Sequence, residues 1–119
     1  MQPVVHGIPN CDTVKRARAW LTERGVEHRF HDFKKAGLTA ALLDAWIAQV
    51  GWEPLVNRQG LTWKKLDDAT RAGVVDAASA KALMLAQPSL VKRPVVAWPG
   101  GQVTVGFDEK RWVDRVKVG

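Results

Sequence analysis

The chain has 119 residues, of which 46% are hydrophobic and 25% charged, a composition that predicts a single domain over residues 1–119 with its own apolar core. The formal net charge of +6 favours anionic partners. The basic residues are spread along the chain without a nucleic-acid-binding motif, so we expect no specific binding to nucleic acid. No apolar run is long enough to cross a membrane and no signal-peptide pattern opens the sequence. We expect a cytoplasmic monomer.

The first stretch of the chain predicts a strand, a turn and a helix. Residues 4–13 combine a short apolar run, a turn rich in Gly, Pro and Asn, and the single cysteine, Cys11. Asp12 or Thr13 is expected to cap the helix that follows. Apolar residues at helical spacing predict that helix: Val14, Ala17 and Leu21.

The predicted position of Cys11 favours a nucleophilic cysteine over a buried, inert one. The thiolate is the reactive form of cysteine, and the N-terminus of a helix stabilises its negative charge. Lys15 and Arg16 lie one turn away and add positive potential. A single cysteine excludes an internal disulfide, and with only three histidines beside it we expect no metal site.

The rest of the chain predicts a second strand, a helical region, a hairpin and a last helix. In order, these are a strand at 27–33, a helix from Thr39 to Gly51, helices near 62–66 and 75–85, strands at 94–98 and 102–106, and a helix capped by Asp108. This order predicts an α/β, thioredoxin-like fold with a mixed sheet, in which a helical insertion separates an early βαβ unit from a late ββα unit.

Two sequence features occur together here in a combination that is similar to that of a known family. Cys11 lies between the first strand and the first helix, and the tripeptide at 92–94, Lys-Arg-Pro, opens the third strand. This combination resembles the glutaredoxin-coupled arsenate reductase (ArsC) family, which includes the Spx and YffB branches. The similarity covers essentially the whole chain. It is greatest to the YffB branch, in the segments at residues 7–21, 58–67 and 76–80.

The resemblance implies roles for five residues. Cys11 matches the family's nucleophile, and Arg58 and Arg93 match its active-site arginines. Pro94 matches a cis proline in a loop that faces the cysteine. Arg58, Arg93, Pro94 and, more weakly, Lys15 are therefore the expected substrate-binding residues. Glutathione is the expected co-substrate and glutaredoxin a possible partner, and no metal is implied.

The chain also departs from the reductases of this family. Gly106 stands where they carry a third oxyanion-binding arginine, and Gly7 where they have a histidine near the cysteine. His6 is one residue away, which turns its side chain to the other face of a strand. Val14 and Lys15 replace a Ser-Arg pair. Arsenate needs several charged donors at once, so these changes weigh against arsenate reduction.

We therefore expect a glutathione-dependent thiol oxidoreductase that forms a mixed disulfide at Cys11. Two alternatives stay open at this point. One is arsenate reduction coupled to glutathione and glutaredoxin. The other is a non-enzymatic, Spx-like regulator that binds RNA polymerase, although Val14 in place of a second cysteine removes the Cys-x-x-Cys switch of many Spx proteins.

Overall fold

The computed structural model describes residues 2–116 of the protein and divides them into two compact units. The first unit combines the two ends of the chain, residues 2–36 and 93–116, and the second holds residues 37–92. The second unit is the predicted helical insertion. The ends of the predicted 1–119 domain, Met1 and residues 117–119, lie outside the described residues. No helix within residues 2–116 is both long and apolar enough to span a membrane.

The first unit is built on a four-stranded mixed sheet, which confirms the predicted α/β fold. In chain order the elements of the protein are β1 (Val4–Gly7), α1 (Asp12–Glu23), β2 (Arg29–Asp32), α2 (Ala40–Val50), α3 (Leu61–Lys64), α4 (Asp68–Ala72), α5 (Ala77–Ala86), β3 (Val95–Ala97), β4 (Val103–Val105) and α6 (Glu109–Val116). The strands lie in the order β2-β1-β3-β4. β1 runs parallel to β2 and antiparallel to β3, and β3 and β4 form the predicted hairpin.

The parallel pair brings the ends of β1 and β2 to the same edge of the sheet. Gly7, the last residue of β1, is opposite Asp32, the last residue of β2. The N–H of Phe33 extends this pairing by donating to the carbonyl of Gly7 at 3.1 Å. The turn after β2 is therefore tied to the turn that leads into α1.

Aromatic side chains dominate the core between the sheet and the helices of the first unit. Trp112 of α6 is 1% exposed and meets Trp20, Trp98 and Phe107 edge to face. The ring centroids of these pairs are 5.8, 5.0 and 4.8 Å apart, within the range that favours aromatic contacts. Val5, Ala17, Leu21 and Val96 complete the cluster.

The second unit is a set of short helices with defined caps. The helix predicted to begin at Thr39 is α2, and Thr39 is its cap, since its Oγ1 accepts a hydrogen bond from the N–H of Leu42 at 3.2 Å. Asp67 caps α4, a helix that the polar sequence there does not predict, by accepting from the N–H of Thr70 at 2.7 Å. The helix predicted near residues 75–85 begins later than expected: α5 starts after the cap at Asp76, and Val75, at the predicted start, is 70% exposed.

The end of β1 approaches the first turn of α1 very closely. A Cβ atom built on Gly7 would lie 2.8 Å from Cγ2 and 3.3 Å from Cγ1 of Val14, whose side chain is fully buried. Real Cβ atoms do not come so near to another carbon, so only glycine fits at this position. The pair Gly7 and Val14 thus fixes the distance between the strand and the helix that follows it.

His6 is a buried ionisable residue in the middle of the sheet. It is opposite His31 of β2, and the two ring centroids are 5.0 Å apart. Burial, together with the neighbouring charge of His31, lowers the pKa of His6 from 6.5 to about 4. The native protein therefore holds His6 uncharged at a pH where an unfolded chain would protonate it.

The first prediction concerns the Gly7 and Val14 contact. Gly7→Ala should lower the free energy of unfolding by about 1–3 kcal/mol because the new methyl group overpacks the site. In the double variant with Val14→Ala, the loss of unfolding free energy should be smaller than the sum of the losses in the two single variants by about 1 kcal/mol or more, because the clash is removed. Urea denaturation of the four proteins measures this coupling.

Gly73→Ala is the matched control for that experiment. A Cβ atom at Gly73 would meet only ordinary contacts, 3.4 Å from the carbonyl oxygen of Ala69 and 3.5 Å from that of Thr70. Its effect should stay within about 0.5 kcal/mol. Independent, additive effects of Gly7→Ala and Val14→Ala would contradict the steric explanation.

The second prediction follows from the lowered pKa of His6. Between pH 6.5 and about 4, the unfolded chain binds a proton that the folded protein excludes, so the free energy of unfolding should fall as the pH falls through this range. The loss should approach roughly 3 kcal/mol at the acid end. Urea unfolding at several pH values should show that His6→Gln flattens this slope, whereas His28→Gln keeps it. An equally steep slope in His6→Gln would show that other groups cause the acid sensitivity.

Candidate active site

Cys11 occupies the N-cap position of α1. Its backbone is extended, with φ −89° and ψ 123°, and its carbonyl accepts the first helical hydrogen bond, from the N–H of Lys15 at 2.9 Å. The expectation that Asp12 or Thr13 caps this helix is therefore wrong, because the helix begins at Asp12. The predicted placement of the cysteine between strand and helix is confirmed.

The N-terminus of α1 is open on the side of the sulfur. An N-cap serine or aspartate would use its side-chain oxygen to accept from the first-turn N–H groups. Cys11 makes no such side-chain hydrogen bond. A thiolate at this position would lie at the positive end of the helix dipole. It would also be near first-turn N–H groups to which the Cys11 side chain makes no hydrogen bond.

Cys11 is half-buried and borders an open cavity of about 430 Å³ in the first unit. Partial exposure excludes the interpretation of Cys11 as an inert core residue. The cavity is lined by the turn before α1, the segment after β2 and one arginine: Ile8, Pro9, Asn10, Cys11, Asp32, Lys34 and Arg93. Its polar side chains therefore come from three separate parts of the chain.

The charged side chains of this cavity are not neutralised by one another. Arg93 and Lys34 contribute two positive charges, and Asp32 one negative charge. Within the described part of the first unit, the only ion pair joins Arg111 to Asp108, so none joins these three residues. A ligand that enters the cavity can therefore meet all three charges. Within residues 2–116, no group of three or more metal-ligating side chains is placed to hold a metal ion.

Asp32 is held in place by the turn that follows β2. Its Oδ1 accepts hydrogen bonds from the N–H groups of Lys34 at 3.0 Å and Lys35 at 3.3 Å. Its carbonyl accepts from the N–H of Ala36 at 2.8 Å. The carboxylate therefore has a fixed orientation at the edge of the cavity.

The segment from Arg93 to β3 carries the cis peptide bond that the family resemblance implies. The bond between Arg93 and Pro94 is cis, and Pro94 is buried. The carbonyl of Pro94 accepts a hydrogen bond from the N–H of Gly106 at 2.8 Å. Gly106 has a φ of +84°, a conformation that other residues rarely adopt, so an arginine there would be strained.

The structure brings together two of the predicted site residues. Cys11 and Arg93 line the same cavity, whereas Lys15 and Pro94 are not among its lining residues. Lys15 is exposed on the first turn of α1. Arg58 belongs to the second unit, where its guanidinium lies 5.5 Å from the ring centroid of Trp63 and 6.0 Å from that of Trp52. The parts of Arg58, Lys15 and Pro94 in substrate binding stay predictions.

Sequence reasoning missed Asp32 and Lys34. Asp32 lies within the segment predicted as a strand, residues 27–33, and Lys34 lies in residues 34–37, which the sequence predicts only as a loop. The signal that could have identified them is topological: in a βαβ unit the two parallel strands end at the same edge of the sheet, and the turn after each strand faces the same cleft.

Comparison with known proteins identifies the family. The ArsC family matches residues 6–114. A solved YFFB protein is 45% identical, with a TM-score of 0.89 over 96% of this chain and 98% of that one. The solved arsenate reductase (ArsC) related protein from Brucella melitensis is 49% identical, with a TM-score of 0.77 over 98% of this chain and 96% of that one. An uncharacterized protein of Haemophilus influenzae is 38% identical over 91% of this chain and 93% of its own length.

The matched range includes the cysteine turn, the segment after β2 and the loop with the cis proline. The predicted resemblance is therefore confirmed, and it extends through both compact units. The protein belongs to the ArsC family.

Proposed function

We propose that this protein is a thiol oxidoreductase that uses glutathione and works through a mixed disulfide at Cys11. The observation that carries the proposal is the position of the thiol: Cys11 lies at an uncapped helix N-terminus and borders a cavity that also contains Arg93. The helix end favours the nucleophilic thiolate, and the cationic wall favours a substrate with carboxylates.

The reaction has two thiol–disulfide exchange steps. In the first, the Cys11 thiolate attacks one sulfur of a disulfide, forms a new S–S bond and releases the other sulfur as a thiolate. In the second, an external thiolate attacks the mixed disulfide and restores Cys11. The external thiol is necessary because the chain has no second cysteine. Together the two steps consume one glutathione, release one substrate thiol and leave the other substrate sulfur bound to glutathione. A second glutathione then releases that thiol and yields glutathione disulfide, so complete reduction of one substrate disulfide consumes two glutathione molecules. Glutaredoxin could replace glutathione in the second step.

Arg93 and Lys34 are suited to hold the carboxylates of glutathione. Both line the cavity beside Cys11, and neither side chain forms an ion pair within the described part of the first unit. Each can bind an anion without first breaking an ion pair. We expect Arg93 to be the stronger partner because it is less exposed than Lys34 and its planar fork matches a carboxylate.

Gly106 favours a disulfide over arsenate as the substrate. It stands where the reductases of the family carry a third arginine, and its φ of +84° disfavours any side chain there. Gly7 stands where those reductases have a histidine, and Val14 packs so tightly against it that no side chain fits there. Arsenate would meet fewer donors here than it needs, whereas the carboxylates of glutathione are spread over a longer molecule.

The third prediction tests the mixed disulfide. Incubation with glutathione disulfide should add one glutathionyl group to the protein, and reduced glutathione should then remove it. Intact-mass spectrometry follows both steps, and peptide mapping should place the group on Cys11. Cys11→Ser should give no adduct while keeping the circular dichroism spectrum of the native protein.

Two results would contradict the proposal. Production of arsenite that depends on Cys11, in the presence of arsenate, glutathione and glutaredoxin, would favour arsenate reduction. A failure to form the adduct while iodoacetamide still modifies Cys11 would favour a binding role without chemistry.

The fourth prediction concerns Arg93. Arg93→Ala should weaken the binding of glutathione by about 1.5–3 kcal/mol, since it removes a hydrogen bond to a charged carboxylate. Lys92→Ala is the matched control, because it removes one positive charge from the adjacent residue, which does not line the cavity. Calorimetric titration at moderate salt measures both affinities. Equal losses in the two variants would show that only the general positive charge of the protein matters.

A further inference from the structure

Asp32 is a charged wall residue of the Cys11 cavity that the thiol-exchange steps leave unused. A carboxylate next to a nucleophilic thiol is unfavourable for a thiolate, because like charges repel. We therefore expect a favourable interaction of Asp32 that offsets this repulsion. Because Asp32 is on the cavity wall, that interaction should involve whatever enters the cavity.

The geometry leaves one oxygen of Asp32 available. The two backbone N–H groups of the turn bind Oδ1. Within the described part of the first unit, no hydrogen bond reaches Oδ2, and neither Lys34 nor Arg93 forms an ion pair with this carboxylate. An oriented carboxylate with one open oxygen is a site for a cationic group of a ligand.

The charges of the cavity match those of glutathione. At neutral pH, glutathione carries two carboxylates and one α-ammonium group, and the cavity offers two cations, Arg93 and Lys34, and one carboxylate, Asp32. We infer that Asp32 binds the α-ammonium group of the γ-glutamyl residue and thereby makes the protein selective for glutathione among acidic thiols. This inference rests on the proposed function, and Asp32 acts in it as a specificity residue.

The competing role for Asp32 is local, as the acceptor that closes the turn after β2. An Asp32→Asn variant separates the two roles. The amide oxygen of asparagine can accept the same two N–H groups, so the turn is kept. The negative charge is lost, so the attraction for an ammonium group is lost with it.

The experiment compares two disulfides that differ only in the amino group. One is glutathione disulfide, and the other is the disulfide of glutaryl-cysteinyl-glycine, which lacks the α-ammonium group. Rate constants for forming the Cys11 mixed disulfide are measured by quenched-flow mass spectrometry. Each is divided by the rate constant for the reaction of the same disulfide with a small reference thiol, which removes differences in the intrinsic reactivity of the two disulfides. The wild-type protein should react about three- to tenfold faster with glutathione disulfide, as expected for one partly exposed charge contact. The general attraction of a chain with net charge +6 favours the more anionic analogue, so it works against this result.

Asp32→Asn should reduce this preference to about one, mainly by slowing the reaction with glutathione disulfide. Asp108→Asn is the matched control and should leave the preference unchanged. Asp108 is in the same unit and also accepts two backbone N–H groups, from Lys110 at 3.1 Å and Arg111 at 3.4 Å, but it does not line the Cys11 cavity.

Two results would overturn the inference while leaving the proposed function intact. One is a wild-type protein that reacts equally with both disulfides, a measurement that needs no variant to fold. The other is an Asp32→Asn variant that slows both reactions by the same factor. Failure of both disulfides to form any adduct with the wild-type protein would instead overturn the proposed function, and this inference with it.

Discussion

The contact between Gly7 and Val14 is the constraint on which the candidate site depends. It lets the first turn of α1 rest directly on the end of β1, so that only four residues are needed to pass from strand to helix. Cys11 is the last of these four, and its carbonyl accepts the first hydrogen bond of the helix. The position of the sulfur is therefore a result of packing between two apolar surfaces, and no polar contact of the thiol itself is required.

The same edge of the sheet collects the charges around the sulfur. Because β1 and β2 are parallel and in register up to Gly7 and Asp32, the two turns that follow them face one cavity. Arg93 enters from a distant part of the chain, next to the strand that pairs with the other side of β1. A central strand with different neighbours on its two sides thus brings a thiol, two cations and a carboxylate to one cavity. No ion pair joins the three charged side chains within the described part of the first unit.

The main features of this fold follow from local signals in the sequence, and the remaining ones depend on contacts that local signals do not contain. Glycine and proline around Cys11 mark the turn, and the apolar spacing after it marks α1, so the place of the cysteine is predictable. The cap is not, because the choice between Cys11 and Asp12 depends on the backbone angles of a single residue. The helix α4 is hidden because its five residues, three of them polar, show no apolar period and are ordered by the cap at Asp67.

Some site residues can likewise be predicted from local sequence signals, and others only from the arrangement of the strands. Cys11 and Arg93 are visible in the sequence because each lies in a distinctive motif. Asp32 and Lys34 become visible only when the register of two parallel strands is known, since about twenty residues separate them from the cysteine. A side chain that reaches a cavity through strand register, as Asp32 does, leaves no pattern in its own neighbourhood of the chain.

The stacking of Arg58 in the second unit gives the protein an optical property. Its guanidinium lies over the indole rings of Trp52 and Trp63, both of which are half-buried, and the chain contains no tyrosine. Indole emission responds to a positive charge that moves towards or away from the ring, because the charge shifts the energy of the excited state. Any anion that draws the arginine away from these rings would change the colour and intensity of the emitted light. Trp52 and Trp63, two of the six tryptophans of the chain, therefore contribute a label-free signal that depends on the position of Arg58.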